Sequence, residues 1–185
     1  GPACVARAHV YLSLGEVPAI LAAHLSASAG ASANDAGLVV FPELSLTGYV
    51  LKDQVPEVAL RVESPEIGAL RAASQAGRID VVAGFILESA AHRFYNASVY
   101  ISGGDIVHVH RKVYLPTYGL FDEQRYVSAG DRFRAFCAPP GGRTEHRWRD
   151  RILHLGDPGH PTAPRPAPAP GGPLPHLSSA PPRPG

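Results

Sequence analysis

Blocks of apolar residues with a readable period run through the first 136 residues, and after that the period is lost. Ala6 to Leu12 reads as a short strand. From about Pro18 a helix is predicted, because Val17, Ile20, Leu21, His24 and Leu25 recur at helical spacing and proline suits a first turn. Gly30 to Gly37, small and polar, is expected to be a loop or frayed turn. Leu38 to Phe41 is a continuous apolar run of the kind found in strands buried on both faces. A second helix fits Ser64 as N-cap and Pro65 at its first position, with Ile67, Leu70 and Ala73 on one face, ending near Gly77. Ile79 to Leu87 and Phe94 to Ile101 read as strands joined by a turn around Ala90 to Arg93. Ser102-Gly103-Gly104-Asp105 marks a tight turn into a further strand, Ile106 to His110. Tyr118 to Asp131 is polar, aromatic and irregular, as a site loop would be, and Arg132 to Phe136 is expected to open another strand. Strand, helix, strand, helix and then three strands predict an α/β layered domain.

Composition divides the chain at the same place. Thirteen of its 19 prolines lie between Cys137 and Gly185. Proline fixes φ and removes a donor, so residues 137–185 are expected to form a disordered or polyproline-like tail beside a 1–136 domain. The tail carries six arginines against three acidic residues, and the domain 11 basic against 13 acidic. Neither part has the dense basic stripe of a nucleic-acid binder. Two cysteines, Cys4 and Cys137, make neither a disulfide framework nor a metal-ligand spacing. There is no run of 18 apolar residues and no signal-peptide core, so no membrane partner and a cytoplasmic location are expected. A chain that starts at Gly1 and lacks methionine reads as a fragment or a processed start.

Two positions carry the candidate chemistry. Glu43 ends the apolar run Leu38-Val39-Val40-Phe41-Pro42, and Lys112, one of only two lysines, ends the run Ile106 to Arg111. A carboxylate and an ammonium delivered by strand ends suit a site built around a nucleophile, with one as base and the other facing developing negative charge. Taken singly, each has a plainer reading. Glu43 is also what a helix N-terminal acid looks like, Lys112 a solvated strand-end charge, and Asp122-Glu123-Gln124-Arg125 a salt-bridged loop. His108 and His110 alternate on one strand face without a third ligand, which favours ordinary strand histidines over a metal pair. Asp131 after Gly130 reads as a turn residue, and Asn96-Ala97-Ser98 as a formal glycosylation acceptor that a cytoplasmic chain would not use. Tyr49, Tyr118 and Phe121 suit either a pocket lining or a core.

Phe41-Pro42-Glu43-Leu44-Ser45-Leu46-Thr47-Gly48-Tyr49 resembles the nitrilase, or carbon–nitrogen hydrolase, superfamily. His110-Arg111-Lys112-Val113-Tyr114-Leu115-Pro116, followed by Phe121-Asp122-Glu123-Gln124-Arg125-Tyr126 and Gly130-Asp131, is similar to the lysine segment of the same family. Tyr95-Asn96-Ala97-Ser98 matches a segment usual between them, and the resemblance covers residues 7–136. It implies an αββα sandwich and hydrolysis of a small non-peptide amide through a cysteine acyl-enzyme, with no metal or organic cofactor. By that carry-over Glu43 is the general base, Lys112 stabilises the oxyanion, and Glu123 is a second acid that positions Lys112 or the substrate. It also implies a homodimer or higher oligomer when the fold is intact.

The third member of that triad is where this chain departs from the family. The family's cysteine follows the lysine by a few dozen residues, and here residues 145–160 contain none. Cys137 comes too early and is followed by Ala138-Pro139-Pro140-Gly141-Gly142, so it is not expected to be the nucleophile. The sandwich is therefore expected to be incomplete and the chain inactive as written, its end after Phe136 bearing the Pro, Arg, Ala, Gly and His bias of GC-rich DNA read out of frame. Two other readings stand beside a general amidohydrolase. The Tyr118 to Tyr126 loop resembles the glutaminase domain of glutamine-dependent NAD synthetases, which makes glutamine the alternative substrate. The other is a non-catalytic remnant whose Pro-Arg-Pro-Ala-Pro segment serves an SH3-like partner.

Overall fold

The computed structural model of the chain describes residues 4–8, 10, 17–48, 52–115, 123–133 and 136. The expected tail, with Cys137, and Tyr49, Tyr118 and Phe121 lie outside those residues. Five strands form one sheet in the order β1 (Val5–Arg7), β2 (Leu38–Val40), β3 (Asp80–Glu88), β4 (Phe94–Ser102) and β5 (Asp105–Arg111). β1, β2 and β3 run parallel, with Leu38 beside Asp80 and Val40 beside Val82. β3, β4 and β5 form an antiparallel meander in which Ile86 faces Asn96 and Ser98 faces His110. The fold class is α/β as expected, and among the described residues it is one mixed sheet with helices.

The parallel half needs crossovers, and two helices supply them: α1 (Val17–Ala33) before β2 and, after the short α2 (Val55–Val58), α3 (Pro65–Gly77) before β3. Their apolar faces meet one face of the sheet. Leu21 and Leu25 of α1 and Ile67 and Leu70 of α3 pack with Val39, Val81, Ala83, Phe85, Val99 and Ile101 in the main core. Successive strand residues point to opposite faces, so the residues between these look the other way. There, two smaller clusters form, one around Leu44, Val55, Ile86, Leu115 and Val127, the other around Leu38, Val82 and Tyr100.

Several boundaries differ from the sequence expectation. The stretch from Gly30 is not a loop, because α1 continues to Ala33. Asn34 donates to the Gly30 carbonyl at 2.8 Å, and Ser32 donates to the Gly77 carbonyl at 2.7 Å, tying the end of α1 to the end of α3. Ser64 does precede α3, but its hydroxyl accepts from the Arg61 amide instead of capping the helix. β1 stops at Arg7, although the Ala8 amide still donates to the Val40 carbonyl. Of the expected strand 132–136, the described residues Arg132, Phe133 and Phe136 are not in a strand. α2 and the 3-10 turn before it, Lys52–Gln54, were not anticipated.

Candidate active site at the end of the sheet

After β2 the chain leaves the sheet through a tight turn. Phe41 still pairs with β3, its amide donating to the Val82 carbonyl at 2.9 Å, and the Leu46 amide returns to the Gly84 carbonyl at 3.0 Å. Between them Glu43 passes over the middle of β3 at Gly84, and Leu44 takes a left-handed conformation at φ 51° that non-glycine residues rarely adopt. Burial of the Leu44 side chain in its apolar cluster offsets that strain. The close crossing depends on Gly84: a Cβ there would lie 2.5 Å from the Leu44 amide nitrogen.

His24 holds the turn from the helix side. It is fully buried on α1, its ring 4.2 Å from that of Phe41, and its Nε2 lies 2.9 Å from the Ser45 hydroxyl. Its Nδ1 lies 2.8 Å from the Ile20 carbonyl, which can only accept, so Nδ1 carries the proton and Nε2 accepts from Ser45. Burial lowers the pKa of this imidazole, against the opposing Ile20 bond, and keeps it neutral.

Lys112 comes from the far end of β5. Its amide donates to the Asn96 carbonyl and its own carbonyl accepts from Gly130, both at 2.8 Å. Gly130 must be a glycine for that, since a Cβ would collide with the Arg111 carbonyl oxygen. The same segment begins with the 3-10 turn Glu123–Arg125, so pinning Gly130 also brings Glu123 to the lysine.

The three expected residues meet. Lys112 Nζ donates to Glu43 Oε1 at 2.7 Å and to Glu123 Oε1 at 3.1 Å. The lysine side chain is only 10 % exposed, against 28 % for Glu43 and 16 % for Glu123. Burial alone pulls the pKa of an ammonium down, but the bond to and charge of Glu43, then the charge and bond of Glu123, outweigh it and hold Lys112 above its usual value. A permanently charged ammonium with two acids is thus fixed at one end of the sheet.

One member of the cluster was not singled out from the sequence. Asn96, 3 % exposed in β4, donates from Nδ2 to Glu43 Oε1 at 2.7 Å and to Glu123 Oε2 at 3.4 Å. The signal available was a polar amide inside the otherwise apolar β4, in the Tyr95-Asn96-Ala97-Ser98 segment. The remaining candidates lie elsewhere. His108 stacks on Phe136 and His110 sits near Phe133, while Asp131 pairs with its neighbour Arg132. Among the described residues no group of three or more His, Cys, Asp or Glu is placed to hold a metal. Cys4 is exposed at the start of β1, on the sheet edge opposite β5. No helix among the described residues is long and apolar enough to cross a membrane.

Residues 6–149 match the family model of the carbon-nitrogen hydrolases. The chain belongs to that family. The match includes the expected stretch from Arg7 to Phe136 and runs on to residue 149. Among curated proteins, the glutamine-dependent NAD(+) synthetase of Thermotoga maritima is 33 % identical over 130 residues, 69 % of this chain and 22 % of the synthetase. That of Acinetobacter baylyi is 32 % identical over 108 residues, 57 % of this chain and 19 % of the synthetase. The chain therefore spans about a fifth of the length of these relatives. Among solved structures, the NAD+ synthetase of Acinetobacter baumannii superposes with a TM-score of 0.57 at 27 % identity, over 71 % of this chain and 25 % of that one. Saccharomyces cerevisiae Nit3, a member of the nitrilase superfamily, gives 0.63 at 23 % identity over 70 % and 49 %, a likeness of fold.

Proposed function

We propose that this carbon-nitrogen hydrolase chain carries the acid–base half of a site that hydrolyses the side-chain amide of glutamine. The observation that supports it best is the buried Lys112 held at 2.7 and 3.1 Å by two carboxylates from separate segments. The similarity to NAD(+) synthetases named as glutamine-dependent favours glutamine over other small amides. Glu43 takes the proton of a cysteine thiol, and the thiolate attacks the amide carbon. The carbonyl oxygen becomes an oxyanion beside Lys112, where a fixed cation lowers the barrier by about 3 kcal/mol in a dry site. The C–N bond breaks as ammonia departs with the proton from Glu43. Water, losing a proton to Glu43, then cleaves the thioester, and that proton returns to the thiolate. Glu123 keeps Lys112 aimed at the oxyanion.

The nucleophile is the part that this chain does not supply by our reading, with Cys4 exposed at the opposite edge, no cysteine in residues 145–160, and Cys137 closer in sequence to Lys112 than the family's spacing. The chain alone is expected to release no ammonia from glutamine and to resist labelling by a thiol-reactive glutamine analogue. Labelling that disappears in Cys137→Ala would overturn that expectation. Replacing residues 137–185 with the corresponding segment of the Thermotoga maritima synthetase should restore glutaminase activity, and Glu43→Gln or Lys112→Met should abolish it. A folded chimera that cleaves simple aliphatic amides but leaves glutamine intact would sink the glutamine reading.

A further inference from the structure

We propose that Asn96 is the positioning residue of this site, holding both carboxylates against Lys112 through the two hydrogens of one amide nitrogen. The inference rests on the reading of Glu43, Lys112 and Glu123 given above. Two carboxylates sharing one ammonium repel each other, and the lysine alone leaves them free to swing apart. Asn96 Nδ2 lies 2.7 Å from Glu43 Oε1 and 3.4 Å from Glu123 Oε2, so it offers a donor to each acid while adding no charge. Nδ2 rather than Oδ1 must face the acids, because the oxygen would meet two acceptors.

Few side chains meet that requirement. A serine or threonine hydroxyl has one hydrogen for two acceptors, and an ionised aspartate has none. A lysine or arginine would donate but would also compete with Lys112 for both acids. Glutamine carries the same amide one methylene further out, at a position 3 % exposed with no room to spare.

The backbone places the amide with equal care. The Asn96 carbonyl accepts from the Lys112 amide at 2.8 Å, so the residue grips the lysine segment by its main chain and the acids by its side chain. Across β3 its partner is Ile86, whose amide donates to the Thr47 hydroxyl at 3.2 Å at the end of the Glu43 turn. Asn96 therefore links all three segments that make the site. The charged groups facing it are Glu43 from the turn after β2, Glu123 from its 3-10 turn and Lys112 from the end of β5.

The test uses the full chain and needs no turnover. With only two lysines present, nitrogen-15 labelling of lysine yields two Nζ signals, and Lys52→Arg identifies that of Lys112. The readout is solvent exchange of the Lys112 ammonium protons, alongside a thermal melt. Asn96→Ser, with one donor left, should speed exchange a few-fold at pH 7. Asn96→Asp, similar in size but with no donor, should speed it about tenfold, the effect of losing a hydrogen bond to a charged group. Lowering the pH to about 5 should restore protection in Asn96→Asp relative to the parent, because a carboxyl beside two others takes up a proton readily and then donates. A residue that merely fills space predicts the reverse order, with Asn96→Ser worst and Asn96→Asp near the parent at both pH values, and that outcome overturns the proposal. If Asn96→Asp does not fold, Asn96→Leu replaces it: the proposal has its lysine exchange faster than in Asn96→Ser, and packing alone has it slower. A parent in which Glu43→Gln leaves Lys112 exchange untouched would instead overturn the Glu43–Lys112 pairing itself.

Discussion

The two faces of the sheet are made from the same strands and do opposite work. On the helix side, Val81, Ala83, Phe85 and Leu87 of β3 and Ala97, Val99 and Ile101 of β4 are apolar and packed under α1 and α3. On the other side, the alternate positions of β4 and the end of β5 carry Asn96, Ser98, Tyr100, His110 and Lys112, all buried. The contacts differ in kind as well. Tyr100 donates to Asp80 at 2.6 Å and Lys112 to two acids, whereas side-chain hydrogen bonds of the helix side such as His24 with Ser45 and Ser32 with Gly77 join neutral groups. Burying polar groups costs free energy unless each finds a partner, so the second face gains specificity more than stability. The helix side is what makes the domain fold, and the opposite side spends part of that stability on holding charges in place.

The sharpest way to break this comparison is to weaken each face in turn. Phe85 is fully buried in the main core, and Phe85→Ala should cost about 3–5 kcal/mol, enough to unfold much of a marginal domain. A urea midpoint series measures it. Should Phe85→Ala cost less than a substitution of Lys112, the division of labour between the faces is wrong.

Lys112→Met should cost less, about 2–3 kcal/mol at neutral pH, because it leaves Glu43 and Glu123 facing each other with no cation between them. Partial exposure of Glu43 keeps the figure below that of a fully buried pair. The pH dependence has a definite sign. The folded pKa of Lys112 is raised, so its contribution is complete below the unfolded value of about 10.4 and is lost as pH rises through the folded one. The stability gap between parent and Lys112→Met should therefore persist at neutral pH and close above about pH 10.4. A gap that widens in alkali would contradict the pairing.

The two faces were not equally legible in the sequence. α3 could be read from Ser64-Pro65 and the spacing of Ile67 and Leu70, because an amphipathic helix repeats its own pattern. The end of α1 could not, since it is settled by Ser32 reaching Gly77, a contact 45 residues away. Glu43, Lys112 and Glu123 stood out through their motifs, and the structure brings all three together. Asn96 did not, because its role depends on strand register: it must face the same side as Lys112, and only the pairing of β4 with β5 decides that. His24 was placed correctly on the buried face of α1, but its polar role was not legible, for a similar reason. On a helix of alanines and serines it looked like one more apolar-face position, while its hydrogen bond to Ser45 comes from the fold.

That bond sets the next expectation. His24→Leu keeps the helix and the packing on Phe41 but leaves the buried Ser45 hydroxyl without its acceptor, costing about 1–2 kcal/mol near pH 7.5. The folded pKa of His24 is lowered by burial, so the parent gains its full benefit above the unfolded value of about 6.5 and loses it as pH falls below that. Melting temperatures of parent and variant should accordingly converge as pH falls below about 6.5. Parallel curves across that range would mean that His24 is not held neutral by the fold.

The smallest effect belongs at the hairpin joining β3 to β4, well away from either core. Glu88 accepts from Arg61 Nε at 3.0 Å and from Arg61 Nη2 at 3.1 Å, and His92 Nδ1 approaches at 2.6 Å. The Arg61 bonds, and then the His92 bond, pull its pKa down from 4.5 to about 2. A depressed carboxylate stabilises the fold above its unfolded pKa and stops doing so as pH falls through the folded one. Glu88→Gln should thus lower the denaturation midpoint slightly at pH 7, with the difference vanishing between 4.5 and about 2. Because this cluster meets solvent, salt screens it, and about 0.5 M sodium chloride should remove most of the difference. The Lys112 gap should survive the same salt, since that lysine is 10 % exposed whereas Arg61 is 48 % exposed. If salt erased both gaps equally, the polar face would be no more protected from solvent than the hairpin, and it could not serve as the dry site that its chemistry requires.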